Sequence, residues 1–264
     1  MPSRLPPPTL TTKTLEVLGA FDAGATELTL SELARRSGLP LTTTHRIVRD
    51  LLTWGAIELG ADGRYCVGLR LWELAALGRR GPALREIALP VMEDLYEATH
   101  ENVQLAVREG TELVYIERLT GRRAVPTLIR VGGRFALHAT GVGLVLLAFA
   151  PTEVQQEVLS GPLERWTPHT ISDPASLRRA LAEVRRVGYA RSMSQVTEDA
   201  LSIACPVRGA DDAVVAALSL VVHADTPHGP ALLATVRAAA RAVSRELGAA
   251  SATATTAEYS TPRR

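Results

Sequence analysis

The chain reads as an α+β protein in two parts: a small N-terminal winged helix-turn-helix unit and a larger, largely antiparallel sheet domain, joined by a linker helix. Two features predict the first part. Helical periodicity is broken by a short glycine-containing turn, and it then gives way to alternation around Asp62-Gly63. A third predicts the second part: from Pro82 onward, turn-linked strands are interspersed with amphipathic helices, a layout that gathers helices on one face or at the ends of a sheet.

The elements follow in order. Residues 1–8 hold Pro2, Pro6, Pro7 and Pro8 and read as a mobile leader. Leu10, Thr14, Val17, Leu18 and Phe21 share one face of a first helix, ended by Gly24. Thr29-Leu30-Ser31-Glu32 is a capping box, with Thr29 as cap and Glu32 reaching back, and Ser37-Gly38 stops that second helix. Leu39-Pro40 turns into the third. There Ile47, Val48, Leu51 and Leu52 recur at core spacing, while Thr42, Thr43, Arg46, Arg49 and Thr53 fall on the other side. Hydroxyls and guanidinium groups on one exposed face suit the phosphates and base edges of a major groove. Ile57, Leu59, Tyr65 and Val67 alternate around the Asp62-Gly63 turn as a two-stranded wing, with Arg64 near its tip, within reach of a phosphate or minor groove. The winged unit thus spans residues 9–68.

Residues 69–81 form the linker helix, whose stripe Leu69, Trp72, Leu74, Ala75 and Leu77 packs on a partner copy, on its own domain, or on both. The sheet domain takes residues 82–248. A long helix with Pro90 inside it precedes strands around 103–107 and 113–116 and a third alternating stretch at Val125, Thr127, Ile129 and Val131. Helices are expected at about 141–149, 152–159 and 173–187, the last opened by Asp173-Pro174. Strands at about 189–193, 201–207 and 214–222 and a closing helix complete the domain, and the Ala, Ser and Thr of 249–264 read as a disordered tail.

Composition narrows the function classes. Net charge is +1, with ten Lys or Arg against eight Asp or Glu in residues 1–80, so affinity for nucleic acid must come from locally placed arginines. No apolar run reaches the roughly 18 residues of a spanning helix, and residues 1–8 lack the apolar core of a signal peptide, so the expectation is a cytoplasmic protein without membrane contact. Cys66 and Cys205 stand far apart and the six histidines show no ligand spacing, so neither disulfide, metal nor cofactor is expected.

The sequence resembles the IclR family of bacterial transcriptional regulators over roughly Thr9 to Gly248. The similarity is carried by Leu30-Ser31-Glu32-Leu33-Ala34-Arg35-Arg36-Ser37-Gly38-Leu39-Pro40 and Thr42 to Arg46. It continues in Leu137-His138-Ala139-Thr140-Gly141-Val142-Gly143, Gly161 to Thr167, Val187 to Ala190, Ser202 to Val207 and Val215 to Ser219. The resemblance implies a GAF-like effector-binding domain behind the winged unit, and a homodimer or dimer of dimers on palindromic double-stranded operator DNA. Repression is the commoner outcome in the family, and the effectors are small carboxylated or aromatic metabolites. The candidate DNA-contacting residues are Arg35, Thr42, Thr43, Thr44, His45, Arg46, Arg49 and Arg64. The candidate effector pocket comprises the backbone at Thr140, Gly141 and Val142, the hydroxyls of Ser202 and Ser219, and a wall of Leu128, Leu137, Ala200 and Val221.

Three departures from the family pattern bear on that pocket. Leu144 stands where a lysine is common, Asp199 where glycine is usual, and Val221 where some members have a second serine. They point to a more apolar pocket and a larger or aromatic ligand. The competing reading is an enzyme built from Ser202, His138 and Asp199, but the chain has no G-x-S-x-G nucleophile elbow, and His138 in an apolar context reads as structural. A purely architectural DNA-binding protein would leave more than half the chain without a role.

Overall fold

The computed structural model describes residues 8–78, 81–122, 124–127, 129–226 and 230–253, in two compact units, Met1–Pro82 and Ala83–Arg264. Nearly all of the expected leader, Leu128, and the tail beyond 253 lie outside the described residues.

The first unit runs α1 (Leu10–Leu18), β1 (Glu27–Leu28), α2 (Leu30–Ser37), α3 (Leu41–Trp54), β2 (Ile57–Leu59), β3 (Tyr65–Val67) and α4 (Leu69–Ala76). The capping box is present: the Thr29 hydroxyl accepts from Glu32 N–H at 3.3 Å, and Glu32 Oε2 accepts from Thr29 N–H at 2.8 Å. Gly38 then ends α2 at φ 69°, a left-handed conformation that a Cβ would strain. Val17, Leu33, Ile47, Val48, Leu51 and Ile57 meet in one core, each large apolar side chain stabilising the unit by about 1.5–3 kcal/mol on burial. Two expectations fail here. The first helix stops at Gly19, whose N–H bonds Leu15 O, and not at Gly24. The wing has a third strand: β1 pairs with β3, giving the order β1-β3-β2.

The second unit contains α5 (Pro82–Thr99), β4 (Asn102–Glu109), β5 (Glu112–Leu119), β6 (Arg134–Ala136), α6 (Gly141–Ala148), α7 (Thr152–Ser160), α8 (Pro174–Val187), β7 (Ala190–Met193), β8 (Ala200–Arg208), β9 (Val214–His223), α9 (Pro230–Glu246) and α10 (Ala250–Thr253). The six strands form one antiparallel sheet in the order β6-β5-β4-β9-β8-β7.

Helices cover both faces of this sheet, not one. Leu105, Ile203, Leu218 and Leu220 pack with Leu84, Met92, Val236 and Val243 of α5 and α9. On the opposite face Ala106, Ala204, Ala217 and Tyr115 meet α6, α7 and α8. This is why β4 and β9 are buried nearly end to end rather than at every second residue. The small side chains Ala106, Ala204 and Ala217 let α6, buried on every side, lie close on the sheet.

The described residues of the 125–131 alternation belong to no strand. Instead Val125 O accepts from Asn102 Nδ2 at 2.8 Å and Ile129 O accepts from Arg118 Nη1, so side chains of β4 and β5 satisfy this segment's carbonyls. Residues 250–253, expected as disordered tail, form a helical turn anchored by Ser251 on Asp212 Oδ1.

Candidate functional site

Within the first unit, α3 buries Ile47, Val48 and Leu51 and presents Thr42, His45, Arg46 and Arg49 to solvent, with Thr43 half-buried. Neither Arg46 nor Arg49 enters an ion pair among the described residues, so both guanidinium groups are available to an external anion. Arg35 is exposed on the last turn of α2.

Thr44 does not belong to this face. It is fully buried, and its hydroxyl donates to Pro40 O at 3.1 Å. It lies three and four residues before Ile47 and Val48 and therefore shares their side of the helix. Arg64 is likewise not free at the tip of the wing: Nη1 donates to Glu27 O at 3.1 Å and meets Glu32 Oε2 at 3.3 Å, which ties the hairpin back to β1 and α2.

The second unit holds a pocket on the α6 side of the sheet, with about 430 Å³ of empty space when its open mouth is counted. Its wall is built by Thr140, Gly141 and Val142 at the start of α6, by Ala200, Ser202 and Val221 from β8 and β9, and by Gln104 and Tyr115 from β4 and β5. Thr127 and Ile129 line one side and Gln195, Val196 and Thr197 another. The latter loop is held from behind, since Thr167 and Thr170 hydroxyls donate to the carbonyls of Ser194 and Gln195.

Thr140 caps α6 by accepting from Gly143 N–H at 3.0 Å, and the first-turn amides of Gly141 and Val142 have no intrahelical acceptor. They give the pocket a positively polarised end, suited to a carboxylate. A Cβ on Gly141 would lie 2.6 Å from Ser202 Oγ, so glycine lets the helix start approach β8 this closely.

Buried polar atoms with no partner among the described residues gather here. Gln104 Nε2, Tyr115 OH and Thr127 Oγ1 line the pocket, and Arg118 Nε and Ser219 Oγ belong to Gln104's cross-strand neighbours. Tyr115 faces the Thr140 side chain but closes no well-formed hydrogen bond with it, and burial pushes its phenol far above the ordinary value, so it stays protonated. Each such unmet group costs about 1–3 kcal/mol, a cost that a bound polar molecule can remove.

The comparisons with known proteins bear on both units. Residues 11–59 match the IclR helix-turn-helix domain, and residues 80–245 match the family described as bacterial transcriptional regulator IclR C-terminal. The chain belongs to the IclR family. An IclR homologue from Microbacterium hydrocarbonoxydans, crystallised with 4-hydroxybenzoate, is 40% identical, with a TM-score of 0.87 over 90% of this chain and 99% of that one. The HTH-type transcriptional regulator KipR of Bacillus subtilis is 32% identical over 84% of this chain and 90% of its own, and the glycerol operon regulatory protein of Streptomyces coelicolor is 32% identical over 88% and 94%. The protein is thus a helix-turn-helix transcriptional regulator and not an enzyme, and no helix among its described residues is long and apolar enough to cross a membrane.

Within this IclR architecture, Thr140, Gly141, Val142, Ala200, Ser202 and Val221 come together around the pocket. Leu137 and Ser219 do not line it. Leu137 is fully buried in the α6–α8 core, and Ser219 lies one register row deeper, beside Gln104 and Ala204. His138 bonds Glu164 O at 2.9 Å and packs on Trp166, joining neither Ser202 nor Asp199 in a triad. Sequence reasoning passed over Gln104, Tyr115 and Gln195. Gln104 carried no usable signal, because Val103 and Leu105 point to the opposite face and their alternation with it reads as a half-exposed strand, whereas β4 is buried on both faces.

Proposed function

We propose that this IclR-family protein is an effector-responsive repressor that binds a palindromic operator as a homodimer and changes DNA affinity when a small aromatic acid occupies the pocket of the second unit. The observation that carries the reading is the pocket itself, in which unpaired helix N-terminal amides and buried side-chain donors surround an otherwise apolar space. The relative crystallised with 4-hydroxybenzoate supports an aromatic acid as the ligand class. Thr42, Thr43, His45, Arg46 and Arg49 form the DNA face, with Arg35 beside it; the arginines supply phosphate contacts, and the α3 threonines approach base edges. A homodimer is supported by α4, where Leu69, Trp72 and Leu77 are 64%, 66% and 79% exposed, an apolar stripe that a second copy would cover.

Fluorescence anisotropy with the gene's own upstream DNA tests this, at several salt concentrations and with scrambled DNA as control. Tight binding to the native fragment alone, relieved by 4-hydroxybenzoate, is the expected outcome. Equal binding to both fragments, or binding that 4-hydroxybenzoate leaves unchanged, contradicts it.

A further inference from the structure

Besides the start of α6, the sheet wall of the pocket carries polar groups. Arg118, Gln104 and Ser219 occupy one cross-strand row through β5, β4 and β9, each with a buried polar atom that has no partner among the described residues, and of the three Gln104 lines the pocket. Gln104 is 2% exposed and Tyr115 1%, and both line the pocket. Gln104 Nε2 can only donate, and the protonated Tyr115 hydroxyl has a proton to give. These donors on the sheet wall therefore call for an oxygen acceptor besides the one that the α6 amides take. Arg118 meets no carboxylate among the described residues, since its guanidinium contacts Ile129 O and Asn102 Oδ1.

We propose that Gln104 and Tyr115 are specificity-determining residues that select acids bearing a second oxygen, a hydroxyl or carbonyl, beyond the carboxylate. This rests on the reading of the pocket as an organic-acid site. A ligand with one carboxylate and an otherwise bare hydrocarbon body satisfies the α6 amides and leaves the Gln104 and Tyr115 donors unpaired. A ligand with a second oxygen satisfies both. Discrimination by a buried donor is strong because the ligand lacking the oxygen leaves the donor unmet.

The test is calorimetric titration of the full-length protein with two pairs of acids, benzoate against 4-hydroxybenzoate and butanoate against 4-hydroxybutanoate. The titrations are repeated on Gln104→Met and Tyr115→Phe, the latter removing a single oxygen. Wild type is expected to favour the oxygenated member of at least one pair about tenfold, and both substitutions to shrink that ratio to about twofold. Equal affinity for both members in wild type, or a ratio that neither substitution changes, overturns the proposal while leaving the organic-acid pocket standing. Failure of all four acids to bind overturns both.

Discussion

Gly141 and Ser202 approach so closely that a Cβ on Gly141 would sit 2.6 Å from the Ser202 hydroxyl oxygen and 3.1 Å from its Cβ. The contact draws the first turn of α6 onto β8 and brings the helix amides to the pocket wall. Gly141→Ala is therefore expected to push Ser202 or the helix start aside and to weaken effector binding more than tenfold, at a stability cost of about 1–3 kcal/mol. Adding Ser202→Ala removes the nearer atom and should recover part of that binding. Calorimetry on the single and double variants checks this, and unchanged affinity in the single variant contradicts it.

The two sides of α3 make opposite predictions. Arg46→Ala should weaken binding to every DNA sequence and lower the slope of log affinity against log salt by about 1, because one phosphate contact is lost. Thr43→Ala should relax preference at one base position by about 1 kcal/mol. Thr44→Val should leave DNA recognition intact and lower stability by about 1 kcal/mol, since it deletes the buried bond to Pro40 O. Anisotropy on single-base operator variants, paired with denaturant unfolding, separates the three outcomes.

The differences between residue pattern and structure have local physical causes. Thr29 and Glu32 are legible because a capping box is closed within four residues. The two-residue β1 is not, because it exists only through pairing with β3 nearly forty residues away. The same pairing sets Arg64 beside Glu27 and Glu32, so its position near the wing tip was readable while its inward bonds were not. Alternation at 125–131 imitated a strand, yet the carbonyls of Val125 and Ile129 are bonded by the side chains of Asn102 and Arg118 and not by a neighbouring ladder. In the pocket, the Thr140-Gly141 turn carried a local signature. The orphaned donors of Gln104 and Tyr115 emerge only when β4 and β5 are laid side by side.

His138 gives a pH dependence of defined sign. Desolvation lowers its pKa below 6.5, outweighing the Glu164 carbonyl bond that acts the other way. Below pH 6.5 the unfolded chain therefore takes up the His138 proton more readily than the folded one. This histidine's contribution to stability is present above pH 6.5 and falls away as pH drops toward its folded value. Melting temperatures between pH 5 and 7.5 should decline on the acid side in wild type and more shallowly in His138→Gln. Parallel curves for the two proteins would contradict the assignment.

The carboxylate of Glu32 gives a second pH dependence, in the first unit. Its pKa is lowered chiefly by the Thr29 N–H and the Thr29 hydroxyl, with the Arg64 and Arg35 charges adding to the effect. An acid with a depressed folded value stabilises the fold above its ordinary pKa near 4.5, and that stabilisation is lost as pH falls through the folded value. Thr29→Ala removes the hydroxyl that caps α2 and should lower stability at neutral pH by about 1 kcal/mol. It should also bring Glu32 closer to 4.5, flattening the acid limb of the unfolding curve. Denaturant titrations of wild type and Thr29→Ala at pH 3.5 and 7 measure both effects at once. A stability difference as large at pH 3.5 as at pH 7 would mean that the Thr29 hydroxyl stabilises α2 without involving the charge of Glu32.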